Sequence, residues 1–327
     1  MNTVQSVKMA VIGAGQLGSR HLQALGRTRY ECDIYIVDPD ANSLRMALDR
    51  FNDFNPGFSG NVTALNKSIY LPKDIDLAIV ATTSNVRLAA LSDLIGNSCI
   101  NNLIIEKVLF QDLDHYKEAE KLLQGLLDRT WVNFAQRLWP FFKEVKTRFG
   151  GQRELEVVVE GSNWGLGCNS VHNADIAAFL WSGALTHKAY LDPVLSESKR
   201  PGFKEFTGEL ITWANEGGRV RQVSYGTGTA PFRVSVFHPT AHLIWDVATG
   251  ALIESNAESN WDWIRRDIRA PYQSDLTTQI VENILAGKDC ELTDYKTAAN
   301  LHVGVLQALL DGARCNGVDL GNICPVT

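Results

Sequence analysis

The 327-residue sequence predicts an α/β protein of two domains: an N-terminal doubly wound parallel sheet, then a C-terminal α/β domain with a large, mostly antiparallel sheet. Three observations predict it. Short β-branched runs alternate with helical apolar spacing from Val7 to Ala135, the rhythm of parallel strands joined by crossover helices. A glycine-rich turn links the first strand to the first helix of that series. Beyond about residue 150 strand-like runs follow one another closely, as antiparallel neighbours with short connections do. The change of rhythm places the domains at 1–129 and 130–327.

Taken in order, Val7–Ile12 reads as the first strand, Leu17–Arg27 as a helix, Cys32–Val37 as the second strand and Ser43–Phe51 as the next helix. Ile75–Ala81 and Leu103–Ile105 read as further strands. Asp112–Arg129 reads as a long amphipathic helix that starts near Asp112 or Asp114, and Thr130–Ala135 as the last strand of the first half. In the second half, Leu155–Val159, Glu209–Ala214, Val220–Tyr225, Arg233–His238 and Leu243–Val247 read as strands, with a hairpin turn at Ala248–Ala251. Helices nearly disappear there, apart from a helical pattern after Val171 and two final helices at Ser274–Ala286 and Asp294–Asn316.

Composition narrows the class. Apolar residues make up 45% and charged residues 21%, enough for packed interiors and a solvated exterior. The net charge of −6 comes with no run of lysine or arginine, which argues against a nucleic-acid partner. Cys32, Cys99, Cys168, Cys290, Cys315 and Cys324 form no C-x-x-C pair, so reduced thiols in a cytoplasmic protein are expected rather than a zinc or redox motif. No stretch approaches the roughly 18 apolar residues of a membrane span, and the N-terminus shows no hydrophobic region of signal-peptide length.

The turn is Gly13-Ala14-Gly15-Gln16-Leu17-Gly18. Gly13 permits a sharp bend, Gly15 lets the backbone approach a pyrophosphate, Gly18 allows close helix packing, and the helix N-terminus offers amides to the anion. Asp38 stands twenty residues after Gly18, at the end of the second strand, where it can accept hydrogen bonds from ribose hydroxyls. This context marks a dinucleotide-binding Rossmann unit, although ordinary turn glycines and a solvated strand end remain the bland alternative. A carboxylate at position 38 repels a 2′-phosphate, and neither Pro39 nor Asp40 supplies a cation. NAD is therefore expected over NADP.

Two further features could carry chemistry. Lys107 follows Glu106 at the C-terminal edge of a predicted parallel strand, facing the crevice where ligands of such sheets bind. Its ammonium could hydrogen-bond a substrate oxygen; the other reading is a surface Glu-Lys pair. His172 and Asp175 sit three apart at the start of a helical pattern, so both can project from one face, with Ile176, Phe179 and Leu180 burying the other. Such a histidine is either a proton carrier in a cleft or a satisfied structural residue.

The order of these motifs resembles the Gfo/Idh/MocA family, the glucose–fructose oxidoreductase and inositol dehydrogenase group, over nearly the whole chain. The glycine turn with His21, the loop Ala81-Thr82-Thr83-Ser84, the pair Glu106-Lys107, Asn133 with Arg137-Leu138-Trp139-Pro140, and His172-x-x-Asp175 each look like a family motif. The resemblance implies hydride transfer between a nicotinamide and a sugar, polyol or sugar nucleotide. It implies catalytic roles for Lys107 and His172, an orienting, catalytic or substrate-contact role for Asp175, and cofactor contacts from Thr82, Ser84, Glu106 and Lys107. Three positions depart from the family pattern: Val108 replaces a proline, Arg87 replaces a frequent histidine, and Cys168 replaces an aspartate four residues before His172. A thiol cannot replace a carboxylate as an orienter of imidazole.

Trp164, just before the His172 helix, is expected to line a substrate pocket. Lys199, Arg200 and Lys204, and Arg265, Arg266 and Arg269, read either as contacts for a phosphorylated substrate or as a solvated face. His238 and His242 fall in strand-like sequence, and no metal is expected. The apolar content between Glu209 and Val247 suits a homodimer or homotetramer built on the C-terminal sheet. Two other functions share these motifs: a dinucleotide-sensing regulator without turnover, and a reductase of an imine or unsaturated bond.

Overall fold

A computed structural model describes residues 6–327, which form two compact units. The first unit takes in the chain up to Phe110, then His115–Ala135 and Pro271–Ala298; the second takes in Gln111–Asp114, Gln136–Ala270 and Ala299–Thr327. The rhythm of the sequence changes once, whereas the chain returns to the first unit near its end.

The first unit begins with β1 (Val7–Ile12), α1 (Gln16–Leu25), β2 (Cys32–Val37), α2 (Ala41–Phe54) and β3 (Asn61–Leu65). It continues with β4 (Asp74–Ile75), β5 (Leu77–Val80), α3 (Arg87–Asn97), β6 (Cys99–Ile100), β7 (Leu103–Ile105), α4 (His115–Leu122) and β8 (Thr130–Val132). Residues Met9–Ile12, Leu77–Val80 and Leu103–Ile105 are buried throughout, as strands covered on both faces require. Helix α2 starts at Ala41 because the Asp40 carboxylate accepts from the Asn42 and Ser43 amides, at 3.2 and 3.1 Å.

Several expectations need correction. The strand expected at Ile75–Ala81 is two pieces, and β4 pairs with β6 in a separate small sheet. The helix expected over Asp112–Arg129 is regular only at His115–Leu122, with a 3₁₀ turn at Leu127–Arg129. Its first residues are drawn into the second unit: Asp112 bridges to Ile323, and the Cys324 amide donates to the Gln111 carbonyl at 2.9 Å. The edge strand β3 and helix α3 were not expected at all.

The second unit contains α5 (Pro140–Phe149), β9 (Glu156–Ser162), α6 (Leu166–Leu180), β10 (Leu185–Leu191), β11 (Ser196–Glu197) and β12 (Lys204–Glu205). There follow β13 (Gly208–Ala214), β14 (Arg219–Tyr225), β15 (Arg233–His238), β16 (Ala241–Asp246), β17 (Ala251–Asn256) and β18 (Ile264–Asp267). Eight strands form one sheet in the order β10-β13-β14-β9-β15-β16-β17-β18, antiparallel except where β14 meets β9. Inward residues such as Val157, Val159, Val220 and Trp245 pack with Phe141, Val145, Ile176 and Leu180 of α5 and α6 into one core. The outward face carries Val158, Ile211, Val223 and Ile244, half-buried, with Tyr190, Tyr225, Phe237 and Ile253 exposed.

Helix α7 (Gln273–Leu285) and β19 (Thr293–Asp294) belong to the first unit, before α8 (Tyr295–Cys315). Pairing of β19 with β8 completes the sheet order β19-β8-β7-β5-β1-β2-β3, parallel except for that last pair. The order reverses between β1 and β5, and there a doubly wound sheet opens a crevice at its strands' C-terminal ends. Among the described residues no helix is long and apolar enough to cross a membrane.

One half-buried histidine ties the second unit's stability to pH. His187 on β10 shares a 2.9 Å hydrogen bond with Thr212 of β13 and lies against Gly304 of α8. Burial pushes its imidazole down from 6.5 to about 4. A folded value below the unfolded one means that stability is full above pH ~6.5 and declines as pH falls toward about 4, because the unfolded chain takes up the proton first. The loss amounts to as much as ~3 kcal/mol. Thermal melts between pH 7 and 4 should show this decline, and His187→Gln should flatten it.

Candidate active site

The chemistry-bearing residues fall into two sets, one in each unit. In the first, the turn between β1 and α1 has the expected shape. Gly13 has φ +101°, where an L side chain is strained, and a Cβ there would lie 2.9 Å from the Thr82 amide nitrogen. A Cβ on Gly18 would come within 1.8 Å of the Gly13 carbonyl oxygen, so α1 can pack this close to the turn only with glycine. Gly15 differs: nothing lies within 4 Å of its Cβ position, and it heads α1 with a surface open to a ligand. Gln16 is exposed, accepting from Arg50, and Leu17 is half-buried.

Asp38 at the end of β2 accepts from the Ala14 amide at 2.7 Å and from the Asp40 amide at 2.9 Å. It thereby fastens the turn to the second strand and keeps its carboxylate at the mouth of a cavity of about 620 Å³. Gly13, Asp38, Lys67, Ile69, Thr82 and Val86 are among the lining residues. The Thr82 hydroxyl is buried without a hydrogen-bond partner among the described residues. An unsatisfied donor beside a glycine cradle fits a polar ligand of dinucleotide size. Lys67 was not foreseen, because it reaches the cavity from the loop after β3, far from the Asp38 region in sequence.

Glu106 follows β7 and is almost wholly buried, at 3% exposure. Its Oε1 accepts from His21 Nε2 at 2.8 Å and from Asn133 Nδ2 at 2.5 Å, while His21 Nδ1 meets Thr277 of α7 at 3.0 Å. Burial opposes its charge, but the His21 hydrogen bond and charge, with Asn133 and Lys107, hold the carboxyl below the usual range. Glu106 is thus an anchor in this structure, and Lys107, half-buried, is carried next to it. The Lys107–Val108 peptide is cis. Ser84 is buried in the turn between β5 and α3.

In the second unit, α6 carries both His172 and Asp175, and nearly its whole circumference is buried. Asp175 is fully buried, and its Oδ2 lies 3.0 Å from Arg137 Nε. The Arg137 guanidinium also sits 5.1 Å from the centre of the Phe179 ring, so Phe179 shares the Asp175 side rather than the opposite one. Asn173 donates to Gln222 of β14 at 2.9 Å, which fixes the helix on the sheet. The sequence marks Arg137 only as part of a motif; its pairing with Asp175 across 38 positions has no local signal.

The first turn of α6 is unusual. Gly165 at its head has φ +87°, and the Cys168 thiol donates to the Gly165 carbonyl at 3.5 Å. Glu205 of β12 brings a carboxylate to the same turn: a Cβ on Gly165 would lie 2.9 Å from Cys168 Sγ and 3.7 Å from Glu205 Oε2. Burial pushes the Glu205 carboxyl up, opposed by hydrogen bonds from the Phe206, Gly167 and Leu166 amides. Trp164 is half-buried just before α6. Its Nε1 donates to the Val223 carbonyl at 2.8 Å and its ring packs on Phe232 and the unit's core. The basic residues are partly self-neutralised, Lys204 by Glu197 and Arg266 by Glu144 and Glu254.

A dinucleotide-type parallel sheet followed by an α/β unit on a broad antiparallel sheet is the fold of a class of two-domain oxidoreductases. Solved members of that fold cover almost the whole chain. An oxidoreductase from Agrobacterium radiobacter in complex with NAD+, L-tartaric acid and magnesium has a TM-score of 0.69 at 16% identity, covering 96% of this chain and 98% of that one. UDP-N-acetylglucosamine 3-dehydrogenase from Acidithiobacillus ferrooxidans gives 0.68 at 14%, covering 95% and 99%. Scyllo-inositol dehydrogenase from Lactobacillus casei, with bound NAD(H) and scyllo-inositol, gives 0.66 at 11%, covering 95% and 98%. No protein-family profile and no curated protein sequence matches the chain.

The two glycines of α1's first turn should therefore fail differently. Gly18→Ala forces a Cβ into the Gly13 backbone and should lower the melting temperature. Gly15→Ala meets no atom of the protein, so it should leave the melting temperature nearly unchanged. Thermal melts of the two variants separate these outcomes.

Proposed function

We propose that the chain is an NAD-dependent oxidoreductase of the Gfo/Idh/MocA kind, moving a hydride between nicotinamide and a hydroxyl or carbonyl of a sugar, polyol or sugar nucleotide. The observation that supports this most is Lys107, held beside buried Glu106 at the C-terminal end of β7, in a sheet whose glycine turn offers an open cradle at Gly15. Gly13, Gly15, Gln16, Leu17 and Gly18 would meet the pyrophosphate, Asp38 the adenosine ribose, and Thr82 and Ser84 the nicotinamide-side half. Bound NAD+ would supply the hydride acceptor, and the residues supply the rest.

Lys107 hydrogen-bonds the reacting oxygen and stabilises the negative charge that grows there as the C–H bond breaks. His172 takes the hydroxyl proton during oxidation and returns it during reduction. Asp175 is the orienting residue, its charge balanced by Arg137. Proton traffic is thus assigned to His172, and the Asp175–Arg137 pair sets the field in which it works. Trp164, anchored by the hydrogen bond from its Nε1 to the Val223 carbonyl, would present its half-buried ring to the substrate.

Lys107→Ala should lower turnover by at least about two orders of magnitude with NADH affinity nearly unchanged. A panel of sugars, polyols and sugar nucleotides followed by NADH absorbance gives the reading, and full activity in the variant would remove Lys107 from the mechanism. In the same titrations NADH should bind more tightly than NADPH, because Asp38 repels a 2′-phosphate. Lys67→Ala should widen that preference, since Lys67 is a cation on the same cavity wall.

The outward face of the large sheet suits a homo-oligomer. Tyr190, Tyr225, Phe237 and Ile253 expose apolar surface there, interrupted by pairs such as Arg219 with Glu156. None of the six cysteines is in a disulfide, in keeping with a cytoplasmic setting. Sedimentation should show a dimer or tetramer at micromolar concentration, and Ile253→Arg should shift it toward monomer; a wild-type monomer would end this part of the proposal.

A further inference from the structure

Two of the sequence's departures, Arg87 and Val108, meet in the folded first unit. Arg87 opens helix α3 and is 2% exposed. Its Nη1 donates to the carbonyl of Val108 and, at 3.0 Å, to that of Leu109; its Nη2 donates to the carbonyl of Thr82. A planar guanidinium presents several N–H groups in one rigid fork, so it can hold separate carbonyls in fixed relation, which a lysine cannot do. The carbonyls it holds come from two loops. Thr82 lies in the β5–α3 turn that lines the cavity beside Gly13, and Val108 and Leu109 directly follow Lys107.

Residues 108–110 are fully buried after the end of β7, where the sheet no longer supplies partners of its own. Buried carbonyls need donors, and here side chains provide them: Arg87 for Val108 and Leu109, and the Tyr116 hydroxyl for Phe110 at 3.0 Å. Lys107 is thus flanked by two pinned residues, Glu106 on one side through His21 and Asn133, and Val108 on the other through Arg87. We infer that Arg87 is a positioning residue, which sets the backbone of Lys107 relative to the Thr82 turn by clamping carbonyls of both loops.

The inference rests on the oxidoreductase reading for its kinetic consequence but not for its structural one. A misplacement of about 1 Å in a reacting group costs on the order of 10²-fold in rate. Arg87→Ala should therefore lower kcat by about that factor, while NADH affinity changes by no more than about threefold. Arg87→Lys should recover only part of the loss, and millimolar methylguanidinium should restore activity to Arg87→Ala but add nothing to the wild type. Hydrogen exchange read by mass spectrometry should show amides 107–110 opening at least about tenfold faster in Arg87→Ala, with the strands of the same sheet unchanged.

A folded Arg87→Ala enzyme with wild-type kcat and unaltered exchange at 107–110 would overturn the inference. So would a loss of activity that methylguanidinium does not restore. If Arg87→Ala does not fold, Arg87→Lys keeps charge and bulk and is read by the same exchange and kcat criteria. A wild-type chain that turns over no substrate would defeat the oxidoreductase reading, while the exchange comparison would still decide whether Arg87 holds the loop.

Discussion

The first unit depends on a single carboxylate. An isolated buried carboxylate is costly, and Glu106 is kept in its place only by donors that arrive from elsewhere in the chain. His21 comes from α1, the helix that the glycine turn opens, and Asn133 from the segment after β8. His21 in turn touches Thr277 on α7, which lies at the far end of the sequence. One buried cluster therefore ties the helix after the glycine turn, the loop of Lys107 and the returning C-terminal segment into one arrangement. Loss of one partner from such a buried charged pair costs on the order of 3–5 kcal/mol, which makes these distant segments interdependent.

That dependence explains what could be read in the sequence and what could not. The strands β1, β2 and β7 are legible to the residue because apolar runs bounded by turn residues are local signals. The glycine turn is legible because each glycine answers a local backbone demand. Strand β3 is not, since its residues lie largely exposed at the sheet's edge and carry no burial pattern. The expected long helix at Asp112–Arg129 fails for the opposite reason: its start pairs with residues 322–324, a tertiary demand that helical spacing cannot disclose. Asp175 and Arg137, or Arg87 and Val108, look unremarkable along the chain and acquire meaning only when the fold supplies the partner.

In the second unit the departure at Cys168 is answered by the surroundings of α6 rather than by the thiol. The thiol is engaged with the carbonyl of Gly165, within its own turn. A carboxylate does stand at that turn, supplied from β12 by Glu205, but backbone amides are its partners there. Its place at the helix head satisfies donors that the first turn of any helix leaves over, and it complements the helix dipole. Glu205 therefore serves α6 as an end cap, and the charge on Asp175 is balanced separately by Arg137. The helix that carries His172 is thus fixed at three points: its first turn by Glu205, its middle by Asn173 and Gln222, and its polar face by Arg137.

The two units show the same arrangement. The residues near Lys107 and His172 are held by the fold: Glu106 and Val108 in one unit, Asn173 and Asp175 in the other, each bound to a partner far along the chain. A side chain on such a segment takes its position through the backbone from adjoining residues. Arg87 illustrates this: its guanidinium's rigid fork holds the carbonyls of Val108 and Leu109, and with them the backbone that follows Lys107.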